Sequence, residues 1–214
     1  MARQLRAKQT RATIVGAAAD LFDRRGYEST SLSEIVAHAG VTKGALYFHF
    51  AAKEDLAHAI LGLQSCTFRR LAKDLDERGY SSLEGLMRLT FAMSRFYEEG
   101  PVLRAGMRLA TTGMVQPLMP HPFTEWREVA TARLLSAVRQ SDVHPDIDVG
   151  SVADTLVSSV VGICAVGNAL EPAGRPSRRL AEMWKIRIRG MVPVSRRARY
   201  LTLATQLERK TATA

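Results

Sequence analysis

The apolar residues Ile14, Ala17, Ala18, Leu21 and Phe22 recur at i, i+3, i+4, i+7 and i+8. That period predicts an amphipathic helix of about four turns, closed at Arg24-Arg25-Gly26 by terminal cations and a glycine. Ser31-Leu-Ser-Glu34 then has the form of a capping box, in which the serine hydroxyl accepts from the backbone three residues on and the glutamate reaches back. Leu32, Ile35, Val36 and Ala39 supply one apolar face of a short second helix, which Gly40 stops. Thr42 can N-cap a third helix running to about Phe48, with Leu46 and Phe50 turned inward. Two short helices across a tight glycine turn, behind a longer one, predict a helix-turn-helix.

Downstream the pattern stays helical. Leu56, Ile60, Leu63 and Leu71 form a long stripe ending at Arg78-Gly79, and a second apolar helix runs from Ser81-Ser82 to Glu99, where Gly100-Pro101 breaks it. A short helix is expected from Val102 to Thr112, and a proline-rich loop over residues 113–122. Further helices are expected from Thr124, over Val149 to Leu170, from Arg178 to about Met191, and from Arg196 to Arg209. No strand and no internal repeat is legible. The fold class predicted is all-α: an N-terminal three-helix head over residues 1–52, followed by a larger helical body over 53–214.

Charge and composition refine this picture. Of the net +9, residues 1–50 carry 7 basic and 4 acidic side chains, 51–174 carry 12 and 15, and 175–214 carry 11 and 2. Arg3, Arg6, Lys8 and Arg11 form an acid-free run suited to phosphate contact, or else a frayed, solvated terminus. No apolar run approaches the roughly 18 residues of a membrane span, and no export signal follows Met1, so a cytoplasmic address and no membrane partner are expected. Cys66 and Cys164 read as reduced packing residues. The five histidines lack metal-ligand spacing, and neither a nucleophile elbow nor a phosphate-cradling loop occurs. A catalytic site, a metal and a cofactor are therefore not expected.

The stretch from Ile14 to Phe22 with Gly26-Tyr27, then Ser31 to Ile35, then Ala39 to Phe50 with Lys53 and Leu56, resembles the TetR family of transcriptional regulators. The resemblance implies that Thr42, Lys43, Gly44, Tyr47 and His49 face double-stranded operator DNA, with Lys53 on the flanking backbone. Lys43 can donate to guanine or neutralise a phosphate, and Gly44 costs a helix about 1 kcal/mol, tolerable where another molecule must come close. His49 fits either the DNA face or a bond within the head. A homodimer is expected, because one short recognition helix reads too few base pairs. The body's small-residue helix 149–170 and helix 178–191 are its candidate interface.

HPFTEWRE (121–128), LEPAGR (170–175), LAEMW (180–184) and IRGMVPV (188–194) are similar to the γ-butyrolactone receptors of actinobacteria, the ArpA/CprB type. That likeness implies a repressor of secondary metabolism or differentiation, released by a diffusible lactone. It places Trp126 in the ligand pocket, although a core tryptophan fits the pattern as well. Phe91, Met107, Phe123 and Ile163 are further candidate walls, Ser158 a candidate polar contact beside Thr155 and Ser159, and the loop at 113–122 a candidate lid. Trp184 suits the core or the dimer contact. A repressor answering to an antibiotic or another metabolite is the alternative, and a helical enzyme a remote one.

Overall fold

The computed structural model describes residues 2–113, 121–170 and 175–212. Among them the secondary structure is entirely helical. In order these are α1 (Ala2–Arg25), α2 (Leu32–Ala39), α3 (Lys43–His49), α4 (Lys53–Glu77), α5 (Ser82–Glu99), α6 (Pro101–Thr112), α7 (Pro122–Arg139), α8 (Val149–Leu170), α9 (Pro176–Met191) and α10 (Val194–Ala212). The chain forms two compact units, Met1–Cys66 with Glu99–Pro122, and Thr67–Glu98 with Phe123–Ala214. Compactness thus divides the chain elsewhere than at residue 52, because α6 packs on α1 and adds Ala105 and Leu109 to the core of Ile14, Ala18, Phe22, Ile35, Leu46, Phe50 and Ile60. Arg104 Nε reinforces that packing with a 2.7 Å bond to Asp23.

Several expectations change. The basic N-terminus is the first three turns of α1, with Arg6, Lys8 and Arg11 exposed on it, and not a frayed arm. In α4 the buried stripe runs Leu56, Ile60, Gln64, Phe68 and Ala72, while Leu63 is exposed. Leu135 of α7 and Ile186 of α9 also face outward, and Trp184 lies in the core at 0% exposure. Cys66 is exposed, so of the two thiols only Cys164 packs; burial, with Glu98 nearby, pushes its pKa to about 12. The expectation about membrane spans fails at α8. Val149–Val166 is long and apolar enough to cross one by length and composition, with a mean hydropathy of 1.8. Only 22% of that stretch is buried within the protomer.

Candidate nucleic-acid interface and ligand cavity

The helix-turn-helix is held by local chemistry. Ser31 Oγ accepts from the Glu34 N–H at 3.2 Å while Glu34 Oε2 accepts from the Ser31 N–H at 2.8 Å. The Ser31 backbone N–H, then its hydroxyl and Arg25, hold the Glu34 carboxyl below the usual carboxylate range. Gly40 ends α2 with φ of 63°, a conformation that an L side chain resists. Thr42 then caps α3, its Oγ1 accepting from the Ala45 N–H at 3.1 Å. Leu46, fully buried, and Phe50 anchor α3 from beneath.

Anchoring Leu46 leaves the opposite side of α3 outward. Thr42, Lys43, Gly44 and Tyr47 are all exposed there. A Cβ on Gly44 would meet only Thr42 Oγ1, at 4.0 Å, so nothing inside the chain requires a glycine. The most exposed apolar side chain of α3 is Phe48, not among the DNA-facing residues expected from the sequence, at 77% exposure with its ring edge-on to His49 at 5.0 Å. Its signal was positional, since one residue beyond Tyr47 still falls on the outward arc at 100° per residue. His49 is half-buried between Phe48 and Phe50.

Lys53, at the start of α4, is engaged within the chain. Its ammonium donates to the carbonyl oxygens of Tyr27 (2.9 Å), Thr30 (3.0 Å) and Glu28 (3.4 Å) and sits 4.4 Å from the Tyr27 ring centre. These three carbonyls tie α4 to the turn between α1 and α2 through Lys53.

The second unit contains a small apolar cavity of about 30 Å³ among α4, α5, α7 and α8. Phe68, Leu89, Met93, Leu156 and Val160 wall it, with Trp126 on one side. Trp126 is 5% exposed, stacked on Phe68 (5.3 Å between centroids, 22° between planes) and met edge-on by Phe123. Its Nε1–H is buried without a hydrogen-bond partner. The one lining hydroxyl, Thr90, is already engaged: it accepts from Trp184 Nε1 at 2.9 Å and donates to the Met87 carbonyl at 2.8 Å. The cavity therefore has an apolar wall, with the Trp126 indole as part of it.

Of the other candidate pocket residues, only Phe123 comes near Trp126. Met107 is buried in α6, in the first unit. Phe91 lies on the far side of α5, since Leu86, Leu89, Thr90 and Met93 occupy the cavity side and one residue is 100° of turn. Ser158 is exposed on α8, and Ile163 lines the outer groove between α8 and α9 with Val166 and Ile186. Thr155 and Ser159 donate to carbonyls within α8. The expected lid falls mostly on residues 114–120, outside the described residues. Phe68, Leu89 and Met93 were missed; the signal for Phe68 was its four-residue step from Gln64 along α4.

A capped helix-turn-helix with an outward basic and aromatic face, in a chain that also holds a small apolar cavity, points to the class of DNA-binding regulators. Residues 14–60 match the bacterial regulatory proteins of the tetR family, and residues 80–193 match the tetracyclin repressor-like C-terminal domain. The chain belongs to the tetR family, a family of regulators and not of enzymes. It is 40% identical over 191 residues, 86% of its length, to the A-factor receptor protein of Streptomyces griseus, of which it spans 64%. Among solved structures it resembles a gamma-butyrolactone receptor described as ArpA-like, at 75% identity and a TM-score of 0.86, covering 95% of this chain and 99% of that one. It also resembles CprB from Streptomyces coelicolor in complex with its biological operator sequence, at 76% identity and a TM-score of 0.85, covering 96% and 99%.

Proposed function

We propose that the chain is a homodimeric, cytoplasmic repressor that grips a palindromic operator with α3 and lets go when a γ-butyrolactone fills the Trp126 cavity. The observation that carries the ligand half is the Trp126 Nε1–H, buried with no acceptor. A buried donor without a partner costs about 1–3 kcal/mol, and a lactone carbonyl on an alkyl body offsets that cost while its tail meets Leu89, Met93 and Val160. A volume of about 30 Å³ has room for roughly two water molecules, so a lactone must part the walls to enter. That movement is what makes the ligand discriminate between conformations, the requirement for any shift in DNA affinity. The DNA half rests on Thr42, Lys43, Gly44 and Tyr47, joined by Phe48, with His49 supporting them. The partly bare flank of α8 beside Ile186 of α9 suits a second copy of the chain, which would set the spacing of two α3 helices. The names of the relatives, an A-factor receptor and a gamma-butyrolactone receptor, support the same reading.

The two tryptophans give the test. In an amide spectrum of the ¹⁵N-labelled dimer, addition of γ-butyrolactone should move the indole N–H signal of Trp126 by far more than that of Trp184, already bonded to Thr90. Equal or absent shifts in both would remove the lactone from this cavity.

A further inference from the structure

We propose that the wall α4 gives to the Trp126 cavity is a hinged door, pinned to α7 at one end by the buried Arg133 and latched at the other by the exposed ion pair of Arg69 and Glu125. Two bridges join these helices, and they differ in kind. Arg133 of α7 is 8% exposed, and its Nη2 donates to the Ala72 carbonyl at 3.0 Å and to Asp76 Oδ1 at 2.7 Å. A Cβ on Gly85 would collide with its Nη1, so a glycine in α5 seats the guanidinium. Ser82 extends the same joint from α5 to α7, its Oγ 2.8 Å from Ser136 Oγ and its N–H 3.0 Å from Gln140 Oε1. These residues lie beyond the cavity lining, past Phe68 on α4, before Leu86 on α5 and past Ala130 on α7.

The other bridge lies at the aromatic end. Arg69 Nη1 donates to Glu125 Oε1 at 3.1 Å, with the Arg69 side chain 54% exposed. Each partner is the chain neighbour of a stacked ring, Phe68 or Trp126. A water-exposed pair is screened by salt and contributes little, whereas breaking the bonds of a buried guanidinium strands a charge away from water. α4 therefore gives way first at the aromatic end. Parting there separates the two rings and uncovers the Trp126 Nε1–H, which no protein acceptor holds. A cavity of about 30 Å³ admits no larger occupant without such parting. The consequence for a lactone rests on the reading above; the door itself does not.

Solvent exchange of the indole N–H signals in the ¹⁵N-labelled full-length protein tests the door without any ligand. The Trp184 signal, held by Thr90, is the internal control. Glu125→Gln should speed exchange at Trp126 by about two- to fivefold and leave Trp184 unchanged. Added salt should speed Trp126 in the wild type but not in Glu125→Gln, and the swap Arg69→Glu/Glu125→Arg should restore slow exchange. Asp76→Ala loosens the pin at its exposed partner and leaves the latch intact, so the salt response of Trp126 should persist. Unchanged Trp126 exchange in Glu125→Gln, equal acceleration of Trp184, or a salt response that vanishes with Asp76 instead of Glu125 would each overturn the door. Glu125→Gln should also lower the lactone concentration that releases operator, by a like factor. If exchange behaves as described but lactone never releases operator, the lactone reading fails and the door stands; if lactone releases operator but exchange in Glu125→Gln matches the wild type, the door fails and the reading stands.

Discussion

Replacing Trp126 by phenylalanine separates the two roles of its ring. The variant keeps an aromatic surface against Phe68, 5.3 Å away, but deletes the unpartnered Nε1–H. In the free protein the loss of ring volume costs about 24 cal/mol per Å³ of cavity left behind. Removing an unsatisfied buried donor returns about 1–3 kcal/mol. The two nearly cancel, so the unfolding free energy should move by about 1 kcal/mol or less. The lactone complex lacks that compensation, because its carbonyl is left buried without a donor. Its stability should fall by about 1–3 kcal/mol, or roughly 5- to 150-fold in lactone affinity. Thermal melting reads the first effect, and gel shifts across a lactone titration read the second. A variant that melts several degrees lower yet releases operator at the wild-type lactone concentration would refute the reasoning, since it would make Trp126 a packing residue with no ligand contact. Trp126→Ala is less informative, because loss of the whole side chain costs about 3–5 kcal/mol on its own.

Other outcomes follow from the head. Lys43→Ala, on the exposed side of α3, should weaken operator binding; loss uniform across operator sequences with a salt slope reduced by about 1 marks a phosphate contact, and loss of preference at one base pair marks a base contact. Phe48→Ala should leave thermal stability within about 0.5 kcal/mol, as its ring is exposed, and should reduce operator affinity in the same gel shifts. Lys53→Met should do the reverse, lowering stability by about 1.5–3 kcal/mol through the freed carbonyls of Tyr27, Glu28 and Thr30. The Glu34 carboxyl is held low in the folded state, so its contribution is present above the ordinary carboxylate pKa and is lost as pH falls through the lowered folded value. Acid denaturation of Glu34→Gln should accordingly be shallower than that of the wild type over that range.

The head was legible because its signals are local. Ser31 and Glu34, Gly40, and Thr42 each act within a few residues of themselves, and the structure reproduces the cap, the stop and the second cap. The start of α1 was not, because residues 2–13 hold few apolar positions and are helical through good helix formers such as alanine, arginine and glutamine. The cavity depended on which of several apolar faces converge, which no single helix reports. Leu63 and Leu71 suggested one stripe for α4, whereas the buried one passes through Gln64 and Phe68. Trp126 stands out in the sequence because it follows a proline-rich loop in a stretch similar to lactone receptors, while Phe91 lies on another side of α5 and Met107 in the first unit. Lys53 shows the same limit, since no local pattern reports the three carbonyls of Tyr27, Glu28 and Thr30 that gather around it.

The most direct test of the whole account is fluorescence anisotropy of a labelled operator held by the purified dimer during titration with γ-butyrolactone. The account predicts a saturable fall to the value of free DNA. An anisotropy that stays at the bound value while the lactone is shown by calorimetry to be bound would contradict it.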